Sequence, residues 1–451
     1  MKDAPGMEAL SLDQAPPLAL PFLFFAVAPV ALVVAGLLLL EHGAGALASP
    51  WQPETLTLTH LGTLGFLGSV MFGALYQMSP VVAGAPVSWL RHAWVVWGLH
   101  AMGLALLVAW GFGGPDPTGA SPWLGFHLLA TGVMLLCGVV GWALARTKVR
   151  GPPVWGMRLA VGTLFLAMTM GTFLVGHWTP AGSMLGPDRV LGLEVHVGLA
   201  LVGWVGGLLT AVSWQVVPMF YLTPEAQGER PWLVLLALAG SVAGAVVVQL
   251  LVVAGQLEGA GRVVAAVVLA PGAVALWLWH PTLVWGLIAR RRRRRADPSA
   301  RFWLTGMAAG PVTGTLAAAT VLLDVPWTAL AFVWCAVLGW AGLVVHGMLT
   351  RIGPFLVWFH RFSSLVGLVP TPTARRMLPD GLVWTGYGLH LAALVLGLAA
   401  IVTGSDLAAG ATGVALVGLG GVLGAYLVIL WRLRPDDGAA ALVGPADAGG
   451  G

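Results

Sequence analysis

The chain has 451 residues, of which 58% are hydrophobic and only 9% are charged. Soluble domains contain about 25% charged residues, so this composition excludes a soluble globular protein. The formal net charge of +4 does not indicate a nucleic-acid partner. Apolar runs of about 20 residues, long enough to cross a lipid bilayer as helices, recur along the whole sequence. The sequence therefore predicts an all-α integral membrane protein.

Hydropathy predicts about twelve membrane spans. In chain order they are Leu18–Leu40, Leu56–Pro80, His92–Phe112, Trp123–Leu144, Val154–Val175, Leu191–Phe220, Trp232–Gly255, Val263–Ile288, Phe302–Leu323, Trp327–Leu349, Leu382–Val402 and Ala411–Trp431. The connections are short, so residues 1–433 are expected to form a single polytopic membrane domain. The Gly-, Ala- and Asp-rich tail, residues 434–451, is expected to be disordered.

The distribution of basic residues predicts the orientation. An even number of spans places both termini on one side of the membrane. The loops of the opposite side contain only Arg189 and Arg262, while all other basic residues, including the run Arg290–Arg295, lie on the side of the termini. By the positive-inside rule the termini are cytoplasmic. We expect a bacterial inner-membrane protein, and we call the side of Arg189 and Arg262 the outer side.

A repeated pattern precedes three prolines at the inner ends of spans two, six and ten, namely Pro80, Pro218 and Pro354. Counting back from each proline, the matching residues are Gly65, Gly203 and Gly339 at fifteen; Gly68, Gly206 and Gly342 at twelve; Gly73, Ala211 and Gly347 at seven; Gln77, Gln215 and Arg351 at three. The pattern predicts three pseudo-symmetric repeats of four spans, at about 18–144, 154–288 and 302–431. Its small residues lie on one helix face, where a neighbouring helix or a flat cofactor could approach closely.

The histidines near the outer ends of the spans are the sharpest candidates for a site. Imidazole in a membrane is costly unless it is paired, hydrated or bound to a metal. His60 and His196 lie about one turn inside spans two and six, and His127 and His177 lie at similar depth. Because His60 is twenty residues before its proline and His196 is 22 before its own, the two rings need not face alike. Each is either a metal ligand or an interfacial residue bonded to water or a carbonyl.

Three charged residues near the outer side are further candidates for the site. Glu194, two residues before His196, either makes an interfacial hydrogen bond or has a role at the site, in which it orients the histidine or handles protons. Arg189 and Arg262 would be available to an anionic group such as a haem propionate.

The two cysteines, Cys137 and Cys335, lie inside apolar spans and are expected to be packing residues.

Two stretches carry a family resemblance: "HLGTLGFLGSVMFGALYQMSP" (His60–Pro80) and "EVHVGLALVGWVGGLLTAVSWQVVP" (Glu194–Pro218). Together with twelve spans in three arcs of four, they resemble haem–copper oxidase subunit I, most closely its C-type branch. The resemblance places His60 at the low-spin haem histidine and His196 at the first histidine of the pair that ligates the high-spin haem. Gly198 stands at the position of the second histidine of that pair.

The sequence also departs from that family. On span ten, where the oxidases carry the histidine pair, the corresponding residues are Phe332 and Trp334, and span seven lacks the copper-binding histidines. The stretch Met78–Val87, "MSPVVAGAPV", is similar to the NnrS family, a twelve-span relative associated with nitric oxide stress and reported to bind haem. The Gly-His-Thr-Gly-Arg signature of that family is absent.

The resemblance implies a haem–copper oxidase relative without the copper centre, holding haem b near the outer face. We expect His60 and His196 as axial ligands, His127 and His177 as substitutes, and Arg189 and Arg262 as cofactor-binding residues. Electron transfer or binding of a small gas such as nitric oxide is expected, and oxygen reduction is not; an enzyme of this kind would be a haem-dependent oxidoreductase. A redox partner or an oxidase-related subunit is possible. The alternatives are a cofactor-free transporter and a copper or oxidase assembly factor.

Overall fold

The computed structural model describes residues 16–87, 90–110, 123–176, 189–226, 228–257, 259–292, 298–323 and 325–435. His177 and nearly all of the tail predicted to be disordered lie outside these ranges. Within them the chain is helical, with no β-strand. The twelve long helices of this part are α1 Ala19–Leu47, α2 Pro53–Ala83, α3 Arg91–Trp110, α4 Trp123–Arg146, α5 Pro152–Gly176, α6 Arg189–Tyr221, α7 Arg230–Val253, α8 Gly261–Ala289, α9 Pro298–Leu322, α10 Thr328–Arg361, α11 Asp380–Thr403 and α12 Asp406–Arg432.

Eleven of these described helices are long and apolar enough to cross a membrane. The other helix, α9, is long enough, but its Ser, Thr and Gly residues lower its hydropathy.

The predicted end of span ten at Leu349 was too early, because α10 continues through Pro354 to Arg361. A proline inside a membrane helix is tolerated where neighbouring groups compensate for the lost hydrogen bond. Arg351 is held there by a hydrogen bond of 2.7 Å from its Nε to the Ser299 hydroxyl of α9.

Helices α2, α6 and α10 form the centre of the bundle. Their most apolar stretches are 67%, 78% and 78% buried, whereas no other candidate span exceeds 50%. Aromatic rings connect them in pairs. The ring centres of Phe72 on α2 and Trp204 on α6 lie 5.7 Å apart, and those of Phe220 on α6 and Phe355 on α10 lie 5.9 Å apart. The helices that carry the repeated pattern are therefore the ones most enclosed by protein.

Each central helix contains a π-helical segment in the same register. The segments are Leu61–Gly68, Gly198–Gly206 and Cys335–Gly342, and α8 has a shorter one at Ala275–Trp279. The three central segments end on the glycine twelve residues before the proline. A Cβ on any of these glycines would lie within 3.0 Å of the carbonyl oxygen five residues earlier. The wide π turn therefore explains this glycine position.

At most of the other small-residue positions a packed helix leaves little room for a Cβ, whereas at Gly339 a Cβ would lie 3.4 Å from the Ala309 Cβ of α9, an ordinary contact. A Cβ on Gly65 would lie 2.5 Å from the Ala31 Cβ of α1, and one on Gly203 would lie 2.6 Å from the Thr163 Cβ of α5. Seven residues before the proline, the neighbours are again α1, α5 and α9, through Phe25, Gly156 and Phe302. Of the two partners that the sequence allowed, a helix or a flat cofactor, the structure places a helix on this face.

Candidate functional site

His60 lies on α2, directly before the π-helical segment. Its Nδ1 is 2.8 Å from the carbonyl oxygen of Leu56, one turn earlier on the same helix. A carbonyl can only accept, so Nδ1 carries the proton of the neutral ring and Nε2 carries the lone pair. In metal-binding histidines one ring nitrogen is commonly fixed in this way by a hydrogen bond to a backbone carbonyl.

His196 of α6 is held in the same tautomer by a different helix. Its Nδ1 is 2.9 Å from the carbonyl oxygen of Ala167 on α5. One turn further along α5, a Cβ on Gly171 would lie 3.0 Å from the Cε1 atom of His196. The ring therefore rests against the α5 backbone at a position where glycine leaves the necessary room. Its Nε2 likewise carries the lone pair.

The two predicted ligands lie on adjacent central helices, which the Phe72 and Trp204 rings connect. The outer ends of the same two helices are joined by a cation–π contact, because the guanidinium of Arg189, the first residue of α6, lies 4.1 Å from the ring centre of Trp51, just before α2. Arg189 therefore lies at the outer end of the two helices that carry His60 and His196.

Arg262 is engaged by a carboxylate. Its Nε and Nη2 atoms donate to Oε1 of Glu194, at 3.0 and 2.6 Å. The pair joins α8 to α6 and is partly exposed, with side-chain exposures of 51% for Arg262 and 26% for Glu194. Glu194, for which the sequence left two interpretations, therefore binds the arginine of a neighbouring helix.

Of the two substitute ligands, the structure describes only His127. His127 lies on α4 with an exposed side chain, and His177 falls outside the described ranges. Among the residues that the structure does describe, no group of three or more His, Cys, Asp or Glu side chains could hold a metal ion. Cys137 and Cys335 are buried free thiols, as their apolar surroundings predicted.

A pocket between α2 and α10 clarifies the two-residue offset of the histidines. Leu58 stands 22 residues before Pro80, and Trp334 stands twenty before Pro354. These two side chains line the same pocket, of about 50 Å³. On the preceding pair of central helices, His196 and His60 occupy the corresponding positions. The same offset of two residues therefore separates the two histidines and the two side chains that line this pocket.

The structure also reveals polar pairs that the sequence did not predict. Buried His100 and His280 each contact a serine of a central helix through Nε2, Ser69 and Ser213 respectively, both at 2.9 Å. The sequence left these histidines open between helix packing and a proton path. Nor did any spacing indicate that His346 and His390, 44 residues apart, would face each other at 3.1 Å between their Nδ1 atoms.

Fold and composition together define an all-α, multi-pass membrane protein. No protein-family model matches the chain, and no curated protein matches it.

Proposed function

We propose that the protein binds haem b between α2 and α6 near the outer face, with His60 and His196 as the axial ligands. One observation carries the proposal: two imidazoles on adjacent central helices are fixed in the same tautomer, each by a contact of its Nδ1 with a backbone carbonyl. Imidazole pairs of this kind suit haem iron.

The proposal draws support from the threefold pattern. We infer that the chain consists of three four-helix repeats, α1–α4, α5–α8 and α9–α12. The register of the three π-helical segments and the equivalent packing of the glycines support this inference. Under this symmetry the spaces between repeats are equivalent. Leu58 and Trp334 line the space between repeats three and one. By this symmetry His196 and His60 would line the space between repeats one and two.

The donor set fits a haem with two imidazole ligands. Arg189 and Arg262 lie near the outer ends of α6 and α8, where a cationic group could meet a propionate. Arg262 would then exchange or share its contact with Glu194. The carbonyls of Leu56 and Ala167 hold the two rings in the ligating tautomer. Haem held by two imidazoles supplies one-electron transfer, and loss of one ligand opens a position for a small gas.

Oxygen reduction at a haem–copper pair is not part of the proposal. α7 contains no histidine, and the two oxidase histidine positions on α10 hold Phe332 and Trp334. Phe332 packs against Trp277 of α8 at 5.5 Å, and Trp334 donates its Nε1–H to the Leu394 carbonyl of α11. These aromatic side chains are committed to helix packing. We therefore propose a divergent relative of haem–copper oxidases that transfers electrons or binds a gas such as nitric oxide, with a redox protein or an oxidase-related subunit as partner.

The competing function is that of a cofactor-free transporter or a copper or oxidase assembly factor. The closed packing of the small-residue face favours it, since these glycines serve helix contacts. For either function we propose a bacterial inner-membrane location with both termini in the cytoplasm, from the asymmetry of the basic residues.

The oxidised and reduced visible spectra of the purified protein, with metal analysis, distinguish these functions. A Soret band and one iron per bound haem support the proposal. Copper without a Soret band supports a copper-handling role, and the absence of both after expression with ample haem supports the cofactor-free alternative.

A further inference from the structure

The pocket lined by Leu58 and Trp334 is apolar and partly open. It lies among the outer halves of α2 and α10 and the helices α1, α11 and α12, and has a volume of about 50 Å³. A single water needs roughly 10–15 Å³ on this scale, so the pocket has room for one small molecule. Aliphatic side chains such as Leu32, Val337 and Ile401 form most of its wall.

The polar side chains of the wall have their hydrogen bonds elsewhere. The Thr55 hydroxyl donates to the Ala46 carbonyl at 2.7 Å, and the Thr59 hydroxyl donates to the Thr55 carbonyl at 2.8 Å. The indole Nε1–H of Trp334 donates to the Leu394 carbonyl at 3.1 Å. A buried water needs two to four polar partners. This wall offers water few partners, and it suits a molecule that requires none.

We propose that this pocket is a binding site for a small apolar molecule of the size of a diatomic gas. The inference goes beyond the haem proposal, because it concerns a different pair of central helices and requires no cofactor. The pocket borders the part of α2 that carries the proposed haem ligand: Thr59 and Gly62 line the pocket, and His60 lies between them in sequence.

Xenon is the appropriate probe, because it is apolar, small and located by anomalous diffraction. Crystals of the full-length protein pressurised with xenon are expected to show a peak within this pocket. Ala35→Leu places a larger side chain in the wall and is expected to reduce the xenon occupancy at least about tenfold. Val337→Ala enlarges the pocket and is expected to retain or increase the occupancy.

Val82→Leu is the matched control, since Val82 lines a different cavity, near the inner ends of α2, α6 and α10. This variant is expected to leave the xenon peak unchanged. A xenon peak elsewhere but not here, or a peak in this pocket that Ala35→Leu leaves intact, would overturn the proposal. Because xenon binds without haem, a protein that takes xenon but shows no Soret band keeps this inference and loses the proposed function.

Discussion

Leu58 of α2 and Trp334 of α10 line one pocket, and they stand at the helix positions that His196 and His60 hold on α6 and α2. A shift of two residues along an α-helix turns a side chain by about 200°. Two side chains that face one space from helices on its opposite sides therefore stand at different distances from the prolines of those helices. This relationship makes the unequal spacing of the histidines consistent with a shared site.

The glycine positions on α6 are predicted to be required for packing. Gly203→Ala would place a Cβ 2.6 Å from the Thr163 Cβ of α5. We expect a loss of roughly 1–3 kcal/mol, because the packed helices must separate. Thermal unfolding in detergent measures it. Gly240→Ala on α7 is the matched control, since a Cβ there meets no neighbouring atom within 4 Å; an equal loss in both variants would refute the packing role.

His390 is predicted to stabilise the π-helical segment of α10. Its Nε2–H donates to the Leu338 carbonyl at 2.9 Å, within the region where the helix widens. His390→Leu removes the donor and leaves a buried carbonyl unsatisfied, at a cost of about 1–3 kcal/mol. His390→Gln retains a donor and is expected to recover part of the lost stability. Equal thermal midpoints for the two variants would show that this hydrogen bond does not stabilise the segment.

The sequence predicted much of this architecture. Hydropathy located the twelve helices, and the proline-anchored pattern selected the three central ones. The sequence also indicated that His60 and His196 lie near the outer ends of their helices. It did not indicate the neighbours of the His196 ring, because the Ala167 carbonyl and Gly171 belong to another helix and carry no pattern that links them to His196. For the same reason the contact between His346 and His390 depends on how α10 and α11 pack, which spacing does not encode.

The predicted orientation is testable with two loop cysteines. Gln256 and Glu229 are both exposed, in the connections after and before α7. A membrane-impermeant thiol reagent added to intact cells is expected to label Gln256→Cys and to spare Glu229→Cys, because the basic residues place the latter in the cytoplasm. Cys137 and Cys335 are buried, so background labelling should be low. Labelling of Glu229→Cys alone would show that the protein has the opposite orientation.

The contact between Glu194 and Arg262 is expected to contribute little to folding. Both side chains are partly exposed, and ion pairs of this kind contribute about 0–1 kcal/mol. Glu194→Gln should therefore change the free energy of unfolding by less than about 1 kcal/mol. If Arg262 meets a haem propionate, the same variant should slow haem loss, whereas Arg262→Gln should accelerate it. Haem transfer to apomyoglobin measures these rates, and unchanged rates in both variants would exclude Arg262 from the site.

The Soret band of single histidine variants tests the central claim most directly. The wild-type protein, expressed with ample haem, is predicted to show a b-type spectrum, and His60→Ala and His196→Ala are each predicted to abolish or shift it. His42→Ala is the matched control, because His42 is an exposed histidine on α1 that has no part in the proposed site, and it should leave the band unchanged. A wild-type protein without a Soret band would contradict the account, and so would a band that neither His60→Ala nor His196→Ala alters.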